Sequence, residues 1–417
     1  MKLAVAGLLS ALNRKTAEAI AVAATPSASP QSVRTDPDDY SSEARRVHSR
    51  HQCLLHTIGR AKWDDRAVRY EAARIANESL HTDEQVEQLI IDDTGWLKQG
   101  KHSAGVQRQY TGSAGKIANC QVGVSVVACT STAQFPIDFA LYLPEEWLTP
   151  QARASVHIPD HIIFKTKPEL AVDMVKEILH AEVMSACTVS ADSAYGDSSQ
   201  FRAAIRKLGC SLAVGIKPLS NAWSVDAGGS RRGPVTSVRA IGRRMKYRRI
   251  AWRDGTKGTL VGHFGARRVV MEQDAKCSDE PEPLWLVTER TDEKPKYYLV
   301  SGPAEAKLKD LVRVLKQRFR TERAYQDAKN EVGLADYQGR SFVGWHHHVS
   351  AAVVACAFLF SEQKRRPRPR NTARPRQAVR TPERLLRHFP ESFPTLRRMI
   401  SSIVSFILPR PLLACIA

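Results

Sequence analysis

The apolar residues change their period along the chain, and the changes divide it. Residues 1–47 have no sustained period. Residues 24–32 are rich in Pro, Ser and Ala, and 36–40 are acidic and turn-like, so a low-complexity tail is expected. The apolar run at the start is broken by Asn13, Arg14 and Lys15 and does not read as a signal segment. Over 48–87, Leu54, Leu55, Ile58 and Trp63, then Val68, Ala72, Ile75 and Ala76, recur at helical intervals, which predicts a small helical N-terminal module. Leu89, Ile90 and Ile91 then form a short strand ending in Asp92 and Asp93, followed by a loop rich in Gly, Lys, Arg and Gln. Further strands are predicted over 121–130 and 135–143. A helix starts at Lys167-Pro168, where Leu170, Ala171, Met174, Val175 and Ile178 share a face. A strand over 184–191 ends at Asp192. A helix over 197–208 follows, capped by Asp197 or Ser198, and then a strand over 211–216.

Three strands, a helix, a strand, a helix and a strand is the order of a ribonuclease-H-like core. In such a core the first and fourth strands each deliver an acid to the same edge. Residues 217–300 interrupt it with strand-like pieces in which Arg residues lie near Tyr247, Trp252, Phe264 and Trp285. This reads as a β-rich insertion, and its arginines suit either a nucleic-acid surface or an ordinary half-exposed sheet. A long helix is predicted from 301 to about 329, with Leu308, Leu311, Leu315 and Phe319 as its buried stripe. The expected fold is therefore α/β: a ribonuclease-H-like mixed sheet flanked by helices, with a β-rich insertion and a helical N-terminal module. The core spans 88–216 and 301–362, and 363–417 is a basic C-terminal tail.

Charge adds a partner. The 417 residues carry 62 Lys and Arg against 43 Asp and Glu, a formal +19, which points to a polyanion such as nucleic acid. From Lys364 the chain alternates Arg with Pro, which suits salt-sensitive contact with DNA or a basic linker. None of the eight cysteines forms a C-x-x-C pair, so a zinc site is not expected and a reducing cytoplasm is. No stretch reads as the roughly 18 apolar residues of a membrane span.

Candidate chemistry lies in acids at special places. By itself Asp92-Asp93 reads as a turn. An acid at the end of a buried strand beside a basic, glycine-rich loop also suits metal-dependent phosphodiester chemistry. Arg318, Glu322 and Lys329 fall on the apolar stripe of the late helix, where charges are costly unless paired or bound to an ion. An Arg318–Glu322 pair one turn apart is the structural alternative. His346, His347 and His348 are consecutive, point three ways on a helix and cannot converge on one metal.

With Asp92, Asp192 and Glu322 in view, the chain resembles the DDE-type bacterial insertion-sequence transposases. More narrowly, it resembles the branch with a β-rich insertion and a Tyr-x2-Arg-x3-Glu-x6-Lys signature. Arg318, Glu322 and Lys329 match that spacing, while Leu315 stands at the tyrosine position. The stretches 92–101, 103–112, 119–124, 141–147, 191–196 and 330–334, with Trp345-His346-His347-His348, carry the likeness over about 48–360. The resemblance implies Asp92, Asp192 and Glu322 as catalytic residues holding two Mg²⁺ ions, with Mn²⁺ as a substitute; the family pattern favours Asp92 over Asp93. Arg318 and Lys329, and more weakly Lys98, Lys101 and Arg108, would contact DNA, and Trp285 would stack on an unpaired base. Further implications are double-stranded DNA as partner (terminal inverted repeats and target), a homodimer in the synaptic complex, and a cytoplasmic location without membrane contact. A copy that binds DNA without moving it, and a nuclease of the same fold without strand transfer, are the alternatives.

Overall fold

The computed structural model describes residues 1–365 except 11, 13, 26–41, 227, 256–257 and 278–280. Four helices come first: α1 (Lys2–Leu8), α2 (Ala17–Ala23), α3 (Ser42–Gly59) and α4 (Asp65–Glu78). They are followed by β1 (Gln88–Leu97), β2 (Gln107–Thr111), β3 (Lys116–Cys129), β4 (Gln134–Leu141), α5 (Pro150–Val156), α6 (Lys167–His180), β5 (Thr188–Ala191), α7 (Ser193–Gly196), α8 (Ser199–Lys207) and β6 (Ser211–Ile216). Then come β7 (Asn221–Val225), β8 (Arg231–Ser237), α9 (Val238–Arg243), β9 (Arg248–Gly255), β10 (Gly258–Met271), α10 (Glu272–Cys277), β11 (Leu284–Arg290) and β12 (Lys296–Val300). The last helices are α11 (Leu308–Leu315), α12 (Phe319–Glu331) and α13 (Phe342–Arg365).

The strands form one sheet in the order β2-β3-β1-β5-β6-β12-β11-β10-β7-β8, with β4 on β3 and β9 on β10. Strand β1 pairs antiparallel with β3 and parallel with β5, and β5 pairs parallel with β6. The run β4-β3-β1-β5-β6 is the expected ribonuclease-H-like sheet. The insertion is not separate from it, because β12 pairs antiparallel with β6. Hydrogen-bonding strand β6 on its free side leaves no open edge in the middle of the molecule.

Local chemistry explains the helix starts. Thr166 and Glu169 form a reciprocal capping box ahead of α6, with Pro168 in its first turn. Of the two predicted caps for α8, Ser198 serves, accepting from the Phe201 amide, while Asp197 accepts from Ser220.

Three expectations are corrected. The segment read as a tail contains α1 and α2, whose Val5, Leu8, Ile20 and Ala21 are buried in the main core. Short Ala-rich helices carry little local signal, and packing on the rest of the protein stabilises them. The basic loop after Asp93 contains β2, an edge strand on the first half of β3. The long helix of 301–329 is two helices, α11 and α12, joined by a 3₁₀ turn at Lys316–Arg318. The C-terminal tail lies outside the described residues beyond 365.

Helix α13 is the centre of the helical layer. Among the described residues, Phe342–Lys364 is the one helix long and apolar enough to cross a membrane; 72% of its most apolar window is buried. The sequence predicts no such span, because His346 to His348 and Ser350 interrupt the apolar run. Arg69 of α4 shows how this layer is fastened. It is buried, pairs with Asp138 of β4 at 2.6 Å and with Asp65, and donates to Ser350 of α13 at 2.6 Å. A second buried pair, Arg202 of α8 with Asp274 of α10, ties the core to the insertion; Arg202 also donates to the Gly196 carbonyl of α7 at 2.6 Å.

Candidate active site

Strand β1 does not end at Asp92 as predicted. It runs on beside β3 to Leu97, but its parallel pairing with β5 stops at Ile90. Asp92 therefore lies just past the point where β1 and β5 part, opposite Ser125 on β3. Asp192 immediately follows β5 and caps α7, its carboxylate accepting from the Ala194 amide at 2.8 Å. The two aspartates are thus delivered to one sheet edge by neighbouring parallel strands.

Alternation along β1 separates Asp92 from Asp93. Asp93 faces the other side and is ion-paired with Lys167 of α6 at 2.5 Å. Asp92 faces α12, where Arg318 Nη2 lies 3.3 Å from its Oδ2. Burial pushes the Asp92 acid up to about 6; Asp192 and Asp93 add to the shift, and Arg318 opposes it.

Glu322, the acid expected on the late helix, is exposed rather than on the buried stripe. That stripe on α12 is Thr321, Ala324 and Ala328. The 3₁₀ turn explains the difference. Each of its three residues advances about 20° more than in an α-helix, so the phase shifts by roughly 60° between α11 and α12. The face that meets β1 and β3 now carries Arg318, Tyr325 and Lys329. Tyr325 and Ser125 are hydrogen-bonded at 2.7 Å between their hydroxyls. Lys329 Nζ donates to the Gly95 carbonyl at 3.0 Å and to Ser113 Oγ at 2.8 Å.

Arg318 touches Asp92 and also feels the charges of Asp192 and Glu322. Burial disfavours its charge, but Asp92, Asp192 and Glu322 together outweigh that and raise its pKa. Its buried Nε has no hydrogen-bond partner among the described residues. Among those residues no three Asp, Glu, His or Cys side chains stand close enough to hold one ion; the carboxylate in direct contact with Arg318 is Asp92. Carboxylate oxygens are the donor type that suits a hard divalent cation, and buried Asp92 favours a positive neighbour, but three such donors are not gathered at one point among the described residues.

The predicted DNA contacts divide. Lys329 and Lys98 are partly buried, and burial lowers each to about 8. Their hydrogen bonds go to neutral groups, Lys98 Nζ to the Tyr337 carbonyl at 2.6 Å. Lys101 and Arg108 are exposed on the β2 side of the sheet. Trp285 is half-buried and donates from its indole to the Pro303 carbonyl at 2.9 Å. The three histidines diverge as expected: His346 bonds the Phe342 carbonyl, His347 that of Ile58, and His348 that of Gly333. Tyr325, Ser125 and Lys167 escaped the sequence reading. Tyr325 was accessible to it, since it lies on one helical face with Glu322 and Lys329; Lys167 and Ser125 are brought in by tertiary contact alone.

Residues 1–259 match the family described as DDE superfamily endonuclease. Enzymes of this family generally use divalent metal ions. A probable transposase for insertion sequence element IS701 from Microchaete diplosiphon is 30% identical over 167 residues, 40% of this chain and 40% of that protein. The chain thus spans 40% of the length of the relative it matches. The family match takes in more than half the chain, with both aspartates and the strands that carry them, and the chain accordingly belongs to the DDE superfamily endonucleases.

Proposed function

We propose that the protein is an insertion-sequence transposase. It would bind the terminal inverted repeats of a mobile element, cleave the DNA at those ends and join the freed 3′ ends to target DNA. The observation that carries the reading is that neighbouring parallel strands deliver Asp92 and Asp192 to one sheet edge, where Arg318, from a distant part of the chain, lies 3.3 Å from Asp92.

In this reading Asp92, Asp192 and Glu322 would hold two Mg²⁺ ions, or Mn²⁺ in their place, once brought together. Bound metal supplies activation of the attacking oxygen and charge stabilisation at the leaving oxygen. The chain's own residues do the rest. Strand β1 fixes Asp92 rigidly, and the Asp93–Lys167 pair holds the opposite face of the strand. Arg318 neutralises the acids before substrate arrives and then moves onto a phosphate, for which its planar fork is suited. Lys329 and Lys98 line the same face of β1, carry no carboxylate partner in their hydrogen bonds, and gain one full counter-charge when DNA binds. Lys101 and Arg108 extend the cationic surface outward. Two copies would act together, one at each end of the element.

The test incubates purified protein with end-labelled inverted-repeat DNA, a target plasmid and Mg²⁺ or Mn²⁺. Cleavage and joined product are expected, both lost in Asp92→Asn, Asp192→Asn and Glu322→Gln. Cleavage without joining would favour a nuclease of the same fold. Binding without cleavage would favour a copy that no longer moves DNA.

A further inference from the structure

Helices α11 and α12 pack on different halves of the sheet. Leu311, Val312 and Leu315 of α11 share a core cluster with Phe264, Val287 and Val300, on the insertion side. Ala324 of α12 clusters instead with Ile90, Val127 and Cys129, under the acids. The single 3₁₀ turn Lys316–Arg318 bridges the two. No side chain caps the start of α12 at this junction. Something else must hold the turn, because relaxing it to an α-helix would rotate α12 by roughly 60°. A side chain about 5 Å from the helix axis would then move by about 5 Å.

The insertion grips it. Lys316 Nζ lies 2.5 Å from Oε1 of Glu289 in β11, with side chains 21% and 8% exposed. Tyr298 of β12 donates to the other oxygen, Oε2, at 3.2 Å. The Lys316 ammonium sits 4.6 Å from the centre of the Trp252 ring and 5.3 Å from that of Phe264. One residue beyond the turn, the Arg253 guanidinium lies 3.7 Å from the Phe319 ring centre. Glu289 stands directly across the ladder from Phe264, at an inward-facing strand position. A carboxylate there is costly unless it is paired and fully hydrogen-bonded, and here both oxygens are used.

We infer that Glu289 is a positioning residue for the proposed DNA-cleaving site. Through Lys316 it fixes the turn that sets the rotation of α12, and so the direction in which Arg318, Glu322, Tyr325 and Lys329 point. The inference rests on Glu322 being the third acid. It also gives the insertion a task besides any contact with DNA: it aims a helix of the core.

The experiment compares wild type, Glu322→Gln, Glu289→Gln, Tyr298→Phe and the exchange Glu289→Lys with Lys316→Glu. Three quantities are read: cleavage against Mn²⁺ concentration, metal-free binding to end DNA, and metal-free amide hydrogen exchange over 316–322. For Glu289→Gln, the Mn²⁺ concentration for half-maximal cleavage should rise by about tenfold or more, as is usual when a ligand's support is removed. Exchange over 316–322 should quicken, and end binding should stay within about twofold of wild type. Tyr298→Phe, which removes one hydrogen bond to the same carboxylate, should shift both readouts in the same direction by about threefold. The exchanged pair should recover most of the loss. Glu322→Gln should abolish cleavage without quickening exchange. If Glu322→Gln cuts like wild type, the proposed site is wrong. If it does not, and Glu289→Gln and Tyr298→Phe keep wild-type metal dependence and exchange, the positioning role of Glu289 is wrong.

Discussion

The Tyr325 hydroxyl lies 2.7 Å from the hydroxyl of Ser125, and Ser125 is the cross-strand partner of Asp92. A helix and a strand distant in sequence are thus pinned at the residue opposite the first acid. Tyr325→Phe leaves the fully buried Ser125 hydroxyl without this partner, which should cost about 1–3 kcal/mol. Urea unfolding measures the stability, and cleavage assays should show a lower rate with unchanged DNA binding. A variant as stable and active as wild type would mean that the contact does not orient α12.

Asp92 and Asp93 should behave differently although adjacent. Asp92→Asn removes a proposed metal ligand and should reduce cleavage by about 10³-fold or more, since bound metal is worth several kcal/mol of transition-state stabilisation. Asp93→Asn should retain cleavage, because Asp93 faces Lys167 on the other side of the sheet. Equal losses in both variants would contradict this assignment.

Lys329 and Lys98 should bind phosphate without reading sequence. Each phosphate contact removed should flatten the plot of log affinity against log salt by about 0.9. Fluorescence-anisotropy titrations of Lys329→Ala and Lys98→Ala at several salt concentrations test this. An unchanged slope would place both lysines away from the DNA backbone.

The histidines of α13 predict sensitivity to mild acid. Burial lowers His346 and His348 each to about 4, against 6.5 for the free side chain. Between those values the unfolded chain binds more protons than the folded one, so stability falls as pH falls. At pH 5 the loss should be about 2 kcal/mol per histidine relative to pH 7. Urea midpoints from pH 7 to pH 4 measure it, and His348→Gln should be less pH-dependent than wild type.

Arg69 should be among the most sensitive positions for folding. Burial alone would raise the Asp65 acid; Arg69 outweighs that and holds it well below the usual carboxylate range. Arg69→Ala strands the buried Asp138 and should destabilise by about 3–5 kcal/mol. Arg69→Met with Asp138→Leu should recover part of the loss, because an apolar pair of similar shape avoids the unpaired charge.

The core was legible wherever local chemistry dictates local structure. The cap at Ser198, one of two candidates, the helix start at Lys167-Pro168, and the aspartates following Ile91 and Ala191 are all legible in short-range pattern. The resemblance marked Arg318, Glu322 and Lys329, but their orientation was misread. A three-residue change from 3.6 to 3 residues per turn leaves no trace in apolar spacing, and the contacts that hold it come from Glu289, Tyr298 and Arg253. The pairing of β6 with β12 was hidden for the same reason: the whole insertion separates the two strands in sequence. Helices α1 and α2 were missed because their stability is tertiary.

That pairing of β6 with β12 also orders events in time. Asp92 and Asp192 emerge early in synthesis and can be seated by contacts among β1, β3, β5 and β6. Glu322 emerges only after the insertion, and on the proposed role of Glu289 its helix would find its rotation only once β11 and β12 have joined the sheet. Such long-range closure is slow compared with local folding. A nascent chain stopped inside the insertion would hold two of the three proposed acids, so the proposed site would be completed only when the insertion has folded.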